Sequence, residues 1–265
     1  TMDLWELAAY LATGVASGVL AGLFGVGGGV VVVPALIFVF GRTGLASDWI
    51  PHLAVRTSLA AIVATGAASA YAHHRRGAVR WDLVRSLAPG IVIGAWVGAA
   101  FAGILSDEWL KRLFGCFLLY VGGRMLLRRS DVALWALPGT PGMLAAGAGI
   151  GALSALVGIG GGTITVPFLS RVGIDMRRAV ATSSACGVPI AVAGALGFMA
   201  VGWGREGLPA ASTGFVYWPA VAAILAASVP MAPIGAHLAH RLPVGQLKRV
   251  FAVLLLVLGA RLLIA

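Results

Sequence analysis

The chain has 265 residues, of which 60% are hydrophobic and 11% charged, and its mean hydropathy is +0.97. A soluble domain of this length does not need so much apolar sequence, so the composition predicts a polytopic membrane protein. The 19 lysine and arginine residues outnumber the 9 acidic ones, but they cluster in short loops between apolar segments, which argues against nucleic acid as a partner.

Eight apolar segments follow one another along the chain, and the first and fifth are longer than one crossing needs. The segments cover residues 4–40, 53–72, 81–105, 109–127, 142–169, 178–201, 215–238 and 244–264. A transmembrane helix requires only about 20 apolar residues. The first and fifth segments are therefore each expected to contain two helical pieces.

Both long segments carry the same glycine-rich motif. Leu23–Leu36 reads LFGVGGGVVVVPAL and Leu156–Leu169 reads LVGIGGGTITVPFL, with eight of fourteen positions identical. A glycine cluster inside an apolar run predicts a break in the helix. Breaks within hydrocarbon must be covered by protein or line a cavity, so two breaks in corresponding halves indicate the binding site of a transporter.

Other matched sequences extend the repeat over the whole chain. Residues 54–59 (AVRTSL) match residues 179–184 (AVATSS), and the LKRxF sequence at residues 110–114 returns at residues 247–251. The sequence therefore predicts an all-α polytopic membrane protein built from four-plus-four duplicated repeats. The first repeat, the turn-rich linker and the second repeat are expected at residues 1–129, 130–141 and 142–265.

The distribution of basic residues predicts how the repeats are oriented. If the first and fifth segments enter, break and return without a net crossing, the basic residues divide 13 to 6 between the two faces. One face collects Arg75, Arg76, Arg80, Arg85, Arg124, Arg128, Arg129, Arg171, Arg177, Arg178, Arg241, Lys248 and Arg249. Simple crossings throughout would divide them 9 to 10, whereas cytoplasmic loops normally carry an excess. We therefore expect inverted repeats with re-entrant glycine hairpins.

A short helix is predicted to start after each glycine cluster, at Val30 and at Thr163. The first N–H groups of a helix have no intrahelical partner and the helix dipole adds positive charge there, so two such ends would bind an anion. The candidate residues are Gly25, Gly27, Gly28, Gly29, Gly158, Gly160, Gly161, Gly162 and Thr163. The alternative is close helix crossing, which we favour for Gly14, Gly18, Gly22, Gly147 and Gly151.

Hydroxyl side chains and one arginine near the starts of the second and sixth segments complete the candidate site. The hydroxyl residues are Thr57, Ser58, Thr182, Ser183 and Ser184. Their hydroxyls either donate to an oxyanion or bond back to the preceding helical turn. Arg56, whose repeat equivalent is Ala181, either serves the site or extends to the membrane interface.

Other kinds of chemistry find no support in the sequence. No Asp or Glu falls in the centre of an apolar segment, and no metal, nucleophile–base or phosphate-binding enzyme motif is present. We therefore expect neither an enzyme nor a cofactor or metal site.

The paired G-x-G-G-G-x-x-x-x-P motifs, each followed by a Thr-Ser helix start, resemble those of the TauE/SafE family. This family is also called the 4-toluene sulfonate uptake permease family, and the resemblance covers essentially the whole chain. It implies a multi-pass permease of the bacterial cytoplasmic membrane that moves small sulfur-containing anions such as sulfite, an organosulfonate or thiosulfate.

The favoured hypothesis is a secondary transporter or exporter that works by alternating access around a midplane site. An anion channel and a non-transporting scaffold subunit are the alternatives. The expected partners are the anion and the lipid bilayer, and a homo-oligomer is left open.

Overall fold

The computed structural model describes residues 3–43, 45, 49–102, 106–127, 136–201, 203, 207–241 and 243–264. Within these ranges the chain is built almost entirely from α-helices. The helices of the first half are α1 (Leu4–Phe24), α2 (Gly29–Thr43), α3 (Ile50–His74), α4 (Trp81–Ala102) and α5 (Asp107–Leu127). Those of the second half are α6 (Thr140–Val157), α7 (Gly162–Arg171), α8 (Met176–Val201), α9 (Trp218–Arg241) and α10 (Val244–Ile264).

The helices follow the predicted segments to within a few residues, and a short hairpin precedes α9. The seventh segment was predicted to begin at residue 215, but residues 212–217 form a short antiparallel hairpin of β1 (Ser212–Thr213) and β2 (Val216–Tyr217). Gly214 turns the hairpin with a φ of 54°, a conformation that glycine adopts without steric cost. The helix therefore begins only at Trp218, and the predicted start was wrong.

Part of the predicted linker between the halves lies outside the described residues. Residues 130–135 belong to that part, whereas residues 140–141 already form the first turn of α6.

Six of the described helices are long and apolar enough to span a membrane, namely α1, α3, α4, α6, α8 and α9. The share of the apolar span that is buried separates them into two groups. This share is 72% in α3 and 78% in α8, but only 39–50% in the other four. Helices α3 and α8 therefore form the centre of the molecule, where they pack against each other.

The outer helices pair reciprocally between the two halves. Helix α1 of the first half packs against α9 of the second, and α4 of the first half packs against α6 of the second. Helices α5 and α10, the last of each half, also pack against each other. The halves are thus interleaved, while the inverted orientation of the repeats and the re-entrant path of the broken segments stay predictions.

Glycines outside the motifs allow these reciprocal pairs to approach closely. A Cβ built on Gly14 would lie 2.5 Å from the carbonyl oxygen of Ile224 in α9, and one on Gly18 would lie 2.8 Å from Ser228 Cα. A Cβ on Gly151 would lie 2.9 Å from Ile91 Cα in α4. Gly22 and Gly147 are equally restricted. The packing interpretation of these five glycines is confirmed.

Gly94→Ala is expected to lower the free energy of unfolding by about 1–3 kcal/mol, because overpacking a close helix contact forces the helices apart. The added methyl group would lie 2.7 Å from Ala148 Cα across the α4–α6 contact. Gly123→Ala is the matched control, since a Cβ on Gly123 meets nothing within 4 Å. Thermal unfolding in detergent would contradict the expectation if the two variants had the same Tm.

Candidate functional site

Both glycine clusters end one helix and begin the next, where the motifs predicted a break. Helix α1 ends at Phe24, and Gly25, Gly27 and Gly28 have φ values of 67°, 72° and 80°. Helix α2 then starts at Gly29, one residue before the predicted start. Residues that carry a side chain rarely adopt these positive φ values, so the backbone path itself requires glycine.

The second cluster has the same geometry. Helix α6 ends at Val157, Gly158 and Gly161 have φ values of 73° and 77°, and α7 starts at Gly162, again one residue before the predicted start. No side chain caps the start of α7, whose N-cap residue is Gly161. Within the described residues, the N–H groups of Gly162 and Thr163 donate to no backbone carbonyl. These two N–H groups are therefore candidates for binding a ligand.

The two glycine breaks meet face to face. A Cβ built on Gly27 would lie 3.1 Å from Gly160 Cα, and one on Gly29 would lie 3.0 Å from Ile159 Cα. A Cβ on Gly162 would collide with Gly25 O and would lie 2.6 Å from its carbonyl carbon. Backbone packs directly against backbone here, so the motif glycines join the halves at one point.

Each glycine break accepts a hydrogen bond from one serine in a helix of the opposite half. Ser58 in α3 donates to the carbonyl oxygen of Gly158 at 3.1 Å, and Ser183 in α8 donates to that of Gly25 at 3.1 Å. Both carbonyls lie just past the end of a helix, where backbone oxygens have no helical partner. The serine bonds satisfy these carbonyls, so the hydroxyl protons point to the protein and not to a ligand.

Two threonines make a second reciprocal pair of bonds. Thr57 accepts a hydrogen bond from the backbone N–H of Tyr217 at 3.1 Å, and Thr182 accepts one from that of Arg80 at 3.1 Å. Tyr217 and Arg80 each immediately precede a helix, α9 or α4. Ser184 instead bonds back to Val180 O at 3.2 Å, as expected for a hydroxyl in a membrane helix.

Three buried hydroxyls without a hydrogen-bond partner surround the start of α7. They belong to Ser154, Thr163 and Thr165, which are 1%, 6% and 0% exposed. A Cβ built on Gly161 would lie 3.4 Å from Ser154 Oγ and 3.5 Å from Thr165 Oγ1. A buried polar group without a partner is costly, so such a cluster indicates a place for a polar ligand or water.

A cavity of about 400 Å³ opens beside this helix start. Val26, Gly162 and Thr163 form the end at the glycine breaks, and Arg124 of α5 and Arg171 of α7 also line the cavity. Most of its other lining is apolar, from Phe24, Phe117, Tyr120, Val121, Ala146, Ile150, Leu153, Ile164, Val166, Pro167, Phe168 and Met176. The described lining includes no Asp or Glu, and its charged residues are Arg124 and Arg171.

Arg56 is buried within the protein and does not extend to a membrane interface. It is 1% exposed, and its guanidinium carbon lies 3.6 Å from the ring centroid of Phe215 and 4.6 Å from that of Phe198. Both rings belong to the second half of the chain. Arg56 thus contacts the opposite half through stacked aromatic rings, an arrangement that stabilises a desolvated cation.

Comparison with known proteins identifies the family. The model for the sulfite exporter TauE/SafE family matches residues 10–262. The chain belongs to the TauE/SafE family. Its membership confirms the resemblance drawn from the paired glycine motifs and shows that the chain is a membrane transporter, located as a multi-pass protein in the bacterial inner membrane.

The TauE/SafE chain has relatives in bacteria and archaea. It is 37% identical over 251 residues to a probable membrane transporter protein of Haemophilus influenzae, with 94% of this chain and 95% of the relative covered. It is 30% identical over 249 residues to the probable membrane transporter protein YtnM of Bacillus subtilis, covering 89% and 75%. For a probable membrane transporter protein of Methanocaldococcus jannaschii the identity is 31%, with 63% and 62% covered. No solved structure matches the chain.

Sequence reasoning named the glycines of this TauE/SafE protein but missed several polar residues nearby. Ser154, Thr165, Arg124 and Arg171 were not among the candidates. The signal for Thr165 was a difference between the repeats, since TIT at residues 163–165 replaces VVV of the first copy. The two arginines reach the cavity only through the packing of α5 beside α6 and α7, which sequence spacing does not reveal.

Ser183→Ala and Ser58→Ala are each expected to lower the free energy of unfolding by about 1–3 kcal/mol, because each leaves a buried carbonyl without its donor. Ser17→Ala is the control, since Ser17 is equally buried but donates to Gly14 O of its own helix at 3.1 Å. Denaturant or thermal unfolding of the three purified variants measures the difference. Equal stability of all three would show that the bonds between the halves add nothing.

Proposed function

We propose that this chain is a secondary transporter of small anions, sulfite or an organosulfonate, which it binds at the second glycine break. The observation that carries the proposal is the start of α7. There, open backbone N–H groups, the unpartnered hydroxyl of Thr163 and the positively charged cavity lie together. An oxyanion is the ligand that this combination of donors suits.

The backbone would recognise the anion without any titratable side chain. The N–H groups of Gly162 and Thr163 and the Thr163 hydroxyl offer three hydrogen-bond donors at the positive end of a helix dipole. Glycine at positions 160–162 leaves these N–H groups uncovered. An anionic sulfur–oxygen group would accept hydrogen bonds from them while it is shielded from water.

The two arginines of the cavity favour an anion over a neutral solute. Arg171 ends the ten-residue helix that Gly162 begins, so the donors and the guanidinium lie at opposite ends of α7. Such a helix is about 15 Å long. Arg171 and Arg124 would attract an anion towards the site and the helix start would bind it.

The apolar walls bear on the choice of substrate. Sulfite has no apolar part, whereas an organosulfonate has an anionic head and a carbon tail. Phe24, Phe117 and Phe168 line the cavity, which has room for a ligand larger than sulfite. The apolar lining therefore favours an organosulfonate as the larger substrate.

The contact between the glycine breaks is where alternating access would operate. The Ser58–Gly158 and Ser183–Gly25 hydrogen bonds link each break to the other half. Movement of one half against the other would shift both breaks together and expose the site to alternate sides. The candidate hydroxyls of Ser58 and Ser183 then position the breaks, and those of Thr57 and Thr182 hold the chain before α9 and α4. Thr163 contacts the substrate.

Thr163→Val is expected to raise the half-saturating substrate concentration about tenfold, because a hydrogen bond to a charged group contributes roughly 1.5–3 kcal/mol. Valine has the shape of threonine and occupies the equivalent position of the first copy, Val30. The measurement is sulfite flux into proteoliposomes, with taurine, sulfoacetate and thiosulfate as competitors. Thr13→Val is the control, since that hydroxyl bonds to Ala9 O of its own helix at 2.7 Å.

The same assay separates the alternatives. Flux that saturates and is accelerated by substrate on the far side supports a transporter, and flux without either property supports a channel. Unchanged sulfite flux in Thr163→Val would reject the α7 site. Bulky substitutions at Gly28 and Gly161 are less informative, because both residues have positive φ and lack space for a Cβ.

Arg171→Gln is expected to slow sulfite uptake at low ionic strength by roughly threefold to tenfold, because a positive charge in a narrow cavity raises the local anion concentration. Added salt should reduce this difference, since it screens the charge. Arg112→Gln is the control, as Arg112 is exposed and pairs with Glu108 outside the cavity. An equal effect of both variants would exclude a specific role for Arg171.

A further inference from the structure

We propose that His73 is the proton-binding residue of this transporter and that proton binding there is coupled to anion movement. The proposal rests on the function proposed above and adds a second ligand, the proton. His73 is 1% exposed and lies near the end of α3, whereas Arg56 lies near its start.

The hydrogen bonding of His73 defines its tautomer. Its Nε2 lies 2.8 Å from the carbonyl oxygen of Gly22, in the last turn of α1 before the break. A carbonyl only accepts hydrogen bonds, so Nε2 carries the hydrogen and donates. In the neutral ring Nδ1 therefore has a lone pair, and this buried atom has no hydrogen-bond partner. It is a basic nitrogen placed to accept a proton.

Protonation of His73 would change its interaction with the helix that ends at the first glycine break. A proton on Nδ1 turns the ring into an imidazolium while Nε2–H stays bonded to Gly22 O. The charge then lies at the C-terminal end of α1, where the helix dipole favours a cation. Charge-assisted hydrogen bonds are stronger than neutral ones, so proton binding would tighten the contact between α3 and the helix that ends at Gly25.

A row of buried hydroxyls connects His73 with the break. Thr65, Ser69 and His73 are spaced four residues apart on one face of α3. Ser69 Oγ lies 3.1 Å from Ala21 O and 3.1 Å from Ser184 Oγ. A Cβ built on Gly25 would lie 3.1 Å from the same Ser184 Oγ. Ser69, one helical turn before His73, thus contacts both α1 and Ser184 beside the first glycine of the motif.

The titratable and charged groups that face His73 are basic. Arg76 lies two residues past the end of α3, and His240 of α9 has its ring centroid 5.6 Å from that of His73. Arg76 also contacts His237 of α9, and Arg177 of α8 acts electrostatically on His240. Helix α1 presents backbone carbonyls at this point. The Arg76 cation opposes a proton on His73, and an anion bound nearby would reduce this repulsion, which would link proton binding to the anion.

The second half has no such histidine. The spacing of 125 residues that relates Thr57 to Thr182 relates His73 to Phe198, whose ring packs on Arg56. The duplicated position thus binds a proton in one half and supports a fixed cation in the other. A proton site of this kind would couple the transport cycle to the proton gradient, which would set the direction of net transport.

The test uses full-length protein in proteoliposomes with sulfite as the probe. His73→Gln keeps a donor for Gly22 O but cannot be protonated. This variant is expected to retain sulfite counterflow without a pH gradient. The sulfite accumulation that a pH gradient drives should fall at least about tenfold. His74→Gln is the control, because His74 is exposed and bonds to the Trp81 indole. Accumulation at the wild-type level in His73→Gln would overturn the proposal.

A second measurement does not depend on transport. In histidine-labelled wild-type protein in nanodiscs, nitrogen NMR should show His73 as the Nε2–H tautomer and a gain of a proton at Nδ1 as the pH is lowered. Sulfite should move that transition to higher pH. A ring that stays neutral throughout would reject the proton site. A wild-type protein that protonates His73 but carries no anion would support the proton site and reject the proposed function.

Discussion

The structure depends on one contact, the meeting of two glycine breaks with no space for a side chain between them. Each break ends a helix inside apolar sequence and so creates carbonyls and N–H groups that hydrocarbon cannot satisfy. Ser58 and Ser183 satisfy the carbonyls from the opposite half. Several donors at the start of α7 stay open. Stability and the candidate site therefore arise from the same break, because one set of backbone groups is paired and another is left for a ligand.

The two copies of the motif are not equivalent, although their backbones follow the same path. The second copy adds hydroxyls at Thr163 and Thr165, where the first has Val30 and Val32. At the other duplicated positions, Arg56 corresponds to Ala181 and His73 to Phe198. The two motifs thus share a backbone geometry, while the polar side chains at the matched positions differ between the halves.

Much of this architecture was predictable from the sequence, because local signals determine it. Apolar length set the helices, and the glycine clusters predicted the breaks to within one residue, as at Gly29 and Gly162. The role of the hydroxyls was not predictable, since Ser58 finds its partner 100 residues away in Gly158. The hairpin before Trp218 was missed for a similar reason, because its turn at Gly214 is followed by apolar residues that continue into α9. Sequence spacing describes one helix, and these features depend on which helices meet.

The reciprocal pairing of helices has a consequence for biosynthesis. Helix α1 is made first, yet its glycine face packs against α9, which begins at Trp218. Until α9 has been synthesised, lipid or an insertion factor must take its place beside the glycine face of α1. The first half therefore cannot reach its final packing by itself, and assembly of the bundle must wait until α9 has been made.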